Sequence, residues 1–110
     1  MQSETDVRVV LVTAPDHDAA VELVRALVGE ELAACGNIVS GVTSIFRWEG
    51  EVQEDPEVLV ILKTHRSALS SLVERTAALH PYDVPEVLAL PVTEGLSSYV
   101  EWVGRECGAS

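Results

Sequence analysis

The sequence predicts one mixed α+β domain in which strands and helices follow the order βαββαβ and a further helix ends the chain. Two observations predict it. Apolar residues alternate in some segments and recur at three- and four-residue intervals in others, and proline or glycine lies at the borders between them. The chain has 110 residues, 47% of them hydrophobic, which suits one domain with a substantial core.

The first strand and the first helix follow each other directly. Residues 7–13 are rich in β-branched side chains and stop before Pro15, which cannot donate to a strand ladder. The next segment carries apolar residues on one helical face, with Asp16 as its expected N-cap and Gly36 as its expected C-terminal glycine. We therefore expect a helix over about residues 16–35.

A long antiparallel hairpin comes next. Residues 38–48 and 52–64 flank a turn that contains Gly50, the residue type that a tight hairpin needs. Arms of about 11 residues extend roughly 35 Å at ~3.3 Å per residue, about twice the length of the other two strands. The outer part of the hairpin therefore has no expected partner within the chain.

A second helix, a fourth strand and a third helix complete the domain. Ser67 is the expected cap of the second helix, and Pro81 makes it end near His80. Residues 87–92 are the predicted fourth strand and residues 96–106 the predicted third helix. Right-handed crossovers in this order place the two main helices on one face of a four-stranded sheet, a ferredoxin-like sandwich with an extra C-terminal helix.

Both faces of the predicted sheet are apolar. Consecutive residues at 7–12, 58–62 and 87–90 are nearly all hydrophobic, which is typical of strands covered on both sides. The two helices cover only one side. Together with the unpartnered hairpin, this pattern predicts a homo-oligomer of closed symmetry, because closure uses up every exposed edge.

Charge and composition restrict the classes of partner. Eighteen acidic residues against seven basic ones give a formal charge of −11, which repels phosphate backbones, so we expect no nucleic-acid partner. Because no apolar run approaches about 20 residues, we expect a soluble cytoplasmic protein with no membrane partner. We expect residues 1–6 to be a disordered lead, residues 7–107 the domain and residues 108–110 a tail.

Six segments are notable for occurring together. They are VVLVTAPD at 9–16, ELAAC at 31–35, VTSIFRWEG at 42–50, VLVILKT at 58–64, HPYDVPE at 80–86 and LPVTEG at 90–95. In this combination and order, the chain resembles the CutA family of divalent-cation tolerance proteins. The resemblance implies a homotrimer with the ferredoxin-like plan, a role in tolerance of copper and other divalent cations, and no established enzymatic activity.

The HPYDVPE segment supplies the candidate metal ligands. Its two prolines stiffen the backbone, so that polar side chains there keep fixed directions. His80 and Glu86 are the predicted ligands of Cu²⁺ or Zn²⁺ at clefts between subunits, since imidazole and carboxylate suit these ions, and the metal is not expected to be needed for folding. The alternative is that His80 caps the second helix and Glu86 anchors the loop.

The resemblance also implies a departure from the family's copper site. A cysteine late in the first strand and a second histidine beside the HPY motif are implicated in copper binding in some members. This chain has Val12 and Leu79 at those positions. We therefore expect weak rather than tight metal binding.

Further residues are predicted to line a ligand cleft. They are Trp48, Glu57, Lys63, Tyr82 and Asp83. The lysine ends an apolar strand and so needs an acidic partner, for which Glu57 and Glu86 are the candidates. The acidic side chains of the hairpin are otherwise expected to form a solvated surface. His17 and His65 are expected to face solvent without a function.

Two other functions fit the same fold. One is a small-molecule sensor similar to the trimeric PII signalling proteins, and the other is a structural trimeric scaffold without catalysis. The sequence contains no GxGxxG, GxxxxGK, GxSxG or HExxH motif, so nucleotide and hydrolase chemistry lack their usual supports.

Overall fold

An antiparallel sheet of four strands forms the centre of the molecule, in a computed structural model that describes residues 1–108. The two ends of the chain add a second sheet, made of two short strands. In chain order the strands are β1 (Gln2–Ser3), β2 (Val7–Ala14), β3 (Cys35–Trp48), β4 (Glu51–His65), β5 (Val87–Pro91) and β6 (Glu94–Gly95). The central sheet has the order β3-β4-β2-β5, and β1 pairs with β6.

Helices α1 (His17–Gly29) and α2 (Arg66–Leu79) pack on one face of the central sheet. The core between them is built from Val12, Leu27, Leu62, Leu72 and their neighbours, all of which are fully buried. Successive side chains of a strand point to opposite faces of the sheet, so every second residue of β2 and β4 points towards the helices and is buried there. The predicted mixed α+β class is therefore confirmed.

Helix α3 (Ser97–Glu106) covers the end of the sheet where β2 begins. Val100 and Val103 pack there against Val7, Ala68 and the buried thiol of Cys107. The third helix thus has its own small core beside the main one.

The other face of the central sheet is apolar and stays open in the single chain. Residues paired across the strands share this face: Leu11 lies between Ile61 and Leu88, and Val9 pairs with Leu90. The side chains of Leu88 and Leu90 are 58% and 47% exposed. We call this surface the open sheet face.

The hairpin of β3 and β4 extends well beyond the core. The molecule measures 45 × 25 × 22 Å, and the register of the two strands shifts between Val39 and Val42 before pairing continues to Trp48 and Glu51. Glu49 and Gly50 form the turn with φ angles of 50° and 82°, so both residues are left-handed, as a two-residue type I′ turn requires.

The N-terminal residues differ from the expected disordered lead. Gln2 and Ser3 pair with Gly95 and Glu94, and the side chain of Thr5 is buried and donates to the carbonyl of Val92. These residues are ordered because β1 forms backbone hydrogen bonds with β6, which is distant in sequence. The composition of residues 1–6 does not reveal such pairing. Of the expected tail, residues 109–110 lie outside the described part of the chain.

Two predicted helix ends were wrong. Helix α1 ends at Gly29, and Glu31 rather than Gly36 takes the left-handed conformation. Gly36 lies in β3, where a Cβ would approach Val24 Cγ1 to 2.8 Å, so this position needs glycine for close packing.

At the start of α2, the N-cap is His65 instead of Ser67. The His65 Nδ1 accepts a hydrogen bond from the backbone N–H of Ser67 at 3.1 Å. His65 therefore has a structural role, whereas it was expected to face solvent without one.

None of the helices formed by residues 1–108 is long and apolar enough to cross a membrane, since the longest, α2, has 14 residues.

Candidate functional site

A cleft of about 740 Å³ opens between the outer hairpin and the loop that follows α2. We call it the hairpin–loop cleft. Its hairpin wall is formed by Ser44, Ile45, Phe46, Trp48, Gln53, Asp55 and Glu57, and its loop wall by Tyr82, Asp83, Val84, Pro85 and Glu86, with Thr13 at the base.

The cleft combines aromatic side chains with carboxylates. Strand register places Phe46 opposite Gln53 and Ser44 opposite Asp55, so that alternate residues of each arm share the face beside the cleft, and Ile45 lines it as well. The four carboxylates that line it are Asp55, Glu57, Asp83 and Glu86. No lysine, arginine or histidine occurs among its lining residues, so the local charge is negative.

Tyr82 joins the two walls of the cleft. Its hydroxyl donates to Glu57 Oε2 at 2.8 Å, and its backbone N–H donates to His80 Nδ1 at 3.1 Å. Burial raises the pKa of Tyr82 to about 12, with further contributions from the hydrogen bond to Glu57 and the negative charges of Glu57, Asp55 and Asp16. The phenol therefore stays protonated at neutral pH and keeps the loop against the hairpin.

His80 anchors the same loop to the sheet. Its ring is buried, and Nε2 lies 2.7 Å from the carbonyl oxygen of Thr13. Because Nδ1 accepts from Tyr82, Nε2 must carry the proton and donate it to Thr13. Both ring nitrogens are thus engaged, which leaves no lone pair for a metal. The side chain does not cap α2 either, since the Thr76 carbonyl there accepts from the His80 backbone N–H.

The two predicted metal ligands are separated by this arrangement. Glu86 lines the cleft, whereas His80 does not. Within residues 1–108, no three His, Cys, Asp or Glu side chains stand together as a ready metal site. A cation in the cleft would therefore meet oxygen ligands, chiefly carboxylates, and neither an imidazole nor a thiolate.

Lys63 lies outside the cleft, on the open sheet face. Its ammonium donates to the Asn37 side-chain carbonyl, and not to Glu57 or Glu86 as expected. Cys35 is its cross-strand partner, and the Cys35 thiol lies 3.5 Å from the hydroxyl of Tyr99. Of the predicted cleft residues, Trp48, Glu57, Tyr82 and Asp83 come together and Lys63 does not.

Asp55 and Gln53 are cleft residues that the sequence did not single out. Asp55 was expected to belong to a solvated acidic hairpin. The signal that could have found both is the two-residue period of the hairpin arm, which puts them on the same face as Glu57.

Comparison with known proteins identifies the family. The family model described as CutA1 divalent ion tolerance protein matches residues 8–106. The chain belongs to the CutA1 divalent ion tolerance family. The resemblance that six sequence segments indicated is therefore confirmed for nearly the whole domain.

Several relatives of this CutA1-family chain have curated names. The divalent-cation tolerance protein CutA of Thermus thermophilus is 52% identical over 100 residues, which are 91% of this chain and 97% of that protein. The chloroplastic CutA protein of Arabidopsis thaliana is 52% identical over 95 residues, which are 86% of this chain but only 52% of that protein. The chain thus spans about half the length of this plant relative.

Solved CutA structures match the fold closely. The Thermus thermophilus Cut A1 structure aligns with a TM-score of 0.86 at 52% identity, covering 88% of this chain and 94% of that one. CutA from Xylella fastidiosa aligns with a TM-score of 0.92 at 36% identity, covering 94% and 99%. The fold of most of this chain is therefore shared with these structures.

Proposed function

We propose that this CutA1-family chain is a non-enzymatic homotrimer that contributes to divalent-cation tolerance by binding cations such as Cu²⁺ or Zn²⁺ weakly at the hairpin–loop cleft. The observation that carries the proposal is the charge of the cleft. Four carboxylates line it and no basic side chain opposes them, so its field attracts cations.

The affinity is expected to be weak for a structural reason. Cu²⁺ and Zn²⁺ prefer imidazole and thiolate ligands, yet both nitrogens of His80 are hydrogen-bonded and Cys35 is not among the residues that line the cleft. A cation held by one or two carboxylates keeps most of its water ligands. Such a site suits reversible buffering of cations better than tight storage.

The trimer is supported by the surfaces that the single chain leaves exposed. Two strand surfaces carry strongly exposed apolar side chains: the open sheet face with Leu88 and Leu90, and the outer hairpin with Ile45 and Val52. Another copy of the chain could cover the first surface and pair with the second. The number three and the ferredoxin-like plan rest on the resemblance to the CutA family. The absence of catalysis rests on the names of the relatives, which describe tolerance proteins.

The compartment stays a prediction. We favour the cytoplasm, but the named relatives include a chloroplastic protein from Arabidopsis thaliana and a periplasmic one from Archaeoglobus fulgidus. A PII-like nucleotide sensor is less favoured, because the acidic cleft repels phosphate groups.

Titration calorimetry with CuCl₂ tests the metal part of the proposal. Asp55→Asn with Glu86→Gln removes two cleft charges without touching the hydrogen bonds of Tyr82, and we expect it to weaken binding several-fold. Glu74→Gln with Glu101→Gln removes the same charge from exposed surface outside the cleft and should leave the isotherm unchanged. Absent binding to the native protein, or equal isotherms for the two double variants, contradicts the proposal.

A further inference from the structure

A histidine side chain shapes the turn with which the loop wall of the cleft begins. The Nδ1 of His80 accepts a hydrogen bond from the backbone N–H of Tyr82 at 3.1 Å, across the intervening Pro81. A side chain that accepts from the N–H two residues later forms the contact of an Asx turn, in which asparagine or aspartate normally supplies the acceptor. His80 therefore takes the place of an Asx-turn residue.

The other nitrogen of the same ring fixes this turn to the central sheet. Nε2 lies 2.7 Å from the carbonyl oxygen of Thr13, near the end of β2, and the ring is buried. Because Nδ1 accepts, Nε2 carries the proton and donates it. One side chain thus connects the start of the loop to β2.

The turn determines where the carboxylates of the loop wall lie. Tyr82 follows it directly and donates its hydroxyl to Glu57 at 2.8 Å, which joins the loop to β4. Asp83 and Glu86 come next in the loop and line the cleft opposite the carboxylates of β4. These hydrogen bonds all form within one chain, and none of them requires a side chain of the outer hairpin to stay exposed.

We propose that His80 is a positioning residue of the hairpin–loop cleft: it binds no cation itself and sets the cation affinity by holding the loop carboxylates opposite those of β4. This role rests on the proposed function, because it concerns the affinity of the same cleft. A neutral imidazole with both nitrogens hydrogen-bonded has no lone pair left for a metal. Its loss should still weaken binding, because carboxylates that move apart attract a cation less strongly.

Two variants of His80 distinguish a positioning residue from a ligand. His80→Leu and His80→Asn both lose the bond to Thr13, but the asparagine oxygen can accept from the N–H of Tyr82, as in an Asx turn. In titration calorimetry with CuCl₂ on the full chain, we expect His80→Leu to bind about five-fold more weakly than the native protein, the scale of one lost hydrogen bond. His80→Asn should recover most of this loss, and circular dichroism checks that both variants are folded.

Two spectroscopic measurements report on the metal ligands and on the loop. Pulsed electron paramagnetic resonance of bound Cu²⁺ should show the same nitrogen signals in His80→Asn as in the native protein, since His80 is not a ligand. Ultraviolet titration follows the phenol of Tyr82, whose pKa is raised to about 12, in a Tyr99→Phe background. Its midpoint should fall in His80→Leu, where the loop leaves Glu57, and stay unchanged in His80→Asn.

Three results overturn this role of His80. They are equal copper affinities for His80→Leu and His80→Asn, the loss of a nitrogen signal in His80→Asn, and an unchanged Tyr82 midpoint in His80→Leu. A native protein that binds no copper contradicts the proposed function instead. The Tyr82 titration needs no metal, so it then decides by itself whether His80 holds the loop.

Discussion

At the scale of single residues, three contacts link the loop of the cleft to the sheet. Thr13 accepts from His80, His80 accepts from the Tyr82 backbone, and the Tyr82 hydroxyl donates to Glu57. The rings of His80 and Tyr82 also pack together, with centroids 4.7 Å apart. This series of contacts explains why the histidine of the HPYDVPE segment is structural, while Asp83 and Glu86 in the same segment line the cleft.

The titration of Tyr82 tests this arrangement. Its pKa is raised to about 12, first by burial and then by the hydrogen bond and charge of Glu57. Glu57→Gln should therefore lower the pKa while leaving it above the usual 10, because burial remains. Ultraviolet absorbance of the phenolate measures it, in a Tyr99→Phe background because the pKa of Tyr99 is also raised to about 12.

The same shift predicts a loss of stability at high pH. A phenol whose pKa is raised on folding favours the folded state below pH 10, and this contribution is lost as pH rises towards 12. The loss of folding stability as the pH rises from 10 towards 12 should be smaller in Glu57→Gln than in the native protein. An unchanged midpoint of the Tyr82 titration in that variant contradicts the contact with Glu57.

At the scale of elements, the hairpin decides the shape of the cleft. Its turn holds Glu49 at a φ of 50°, a conformation that costs a residue with a Cβ about 1–2 kcal/mol, whereas Gly50 adopts its φ of 82° freely. Asparagine tolerates the left-handed region better than glutamate. The turn is therefore a place where local strain can be removed without altering the strands.

Glu49→Asn should stabilise the protein by about 0.5–1 kcal/mol, because Asn-Gly is the preferred pair for a type I′ turn. Urea denaturation at one fixed protein concentration measures the change. Glu51→Asn, one residue into β4, is the matched control and should give no gain, since asparagine is disfavoured in strands. A Glu49→Asn variant that is less stable than the native protein contradicts the turn geometry.

At the scale of the whole molecule, the open sheet face is the main apolar surface that the single chain leaves uncovered. Leu88 lies on its edge strand β5, paired with Leu11, and is 58% exposed. Lys63 and Cys35 lie on the same face, at the end nearest α3. A single chain would leave this apolar sheet in water, whereas a symmetric assembly buries it.

If the proposed trimer forms through this face, Leu88→Glu should shift it to monomer, because a carboxylate buried without a partner costs several kcal/mol. Size-exclusion chromatography with light scattering measures the mass. Val28→Glu, on helix α1 and away from this face, introduces the same charge and should leave the trimer intact. A native protein of monomer mass, or a Leu88→Glu variant of trimer mass, contradicts the assembly through this face.

The sequence by itself determined the class of the fold, the order of its main elements and the family. Strand and helix periods and the prolines that end segments are local signals, so the predicted strands and the end of α2 before Pro81 agree with the structure. The hairpin and its Gly50 turn followed from the same kind of signal.

Only the tertiary structure decided the contacts between distant segments. The pairing of Gln2 with Gly95, the close approach of Gly36 to Val24 and the hydrogen bond from His80 to Thr13 join residues that are far apart in sequence. Local propensity carries no information on them, because each depends on how complete elements pack. For the same reason, the sequence could place Glu86 and His80 on one short segment, but only the fold directed the carboxylate into the cleft and the imidazole into the core.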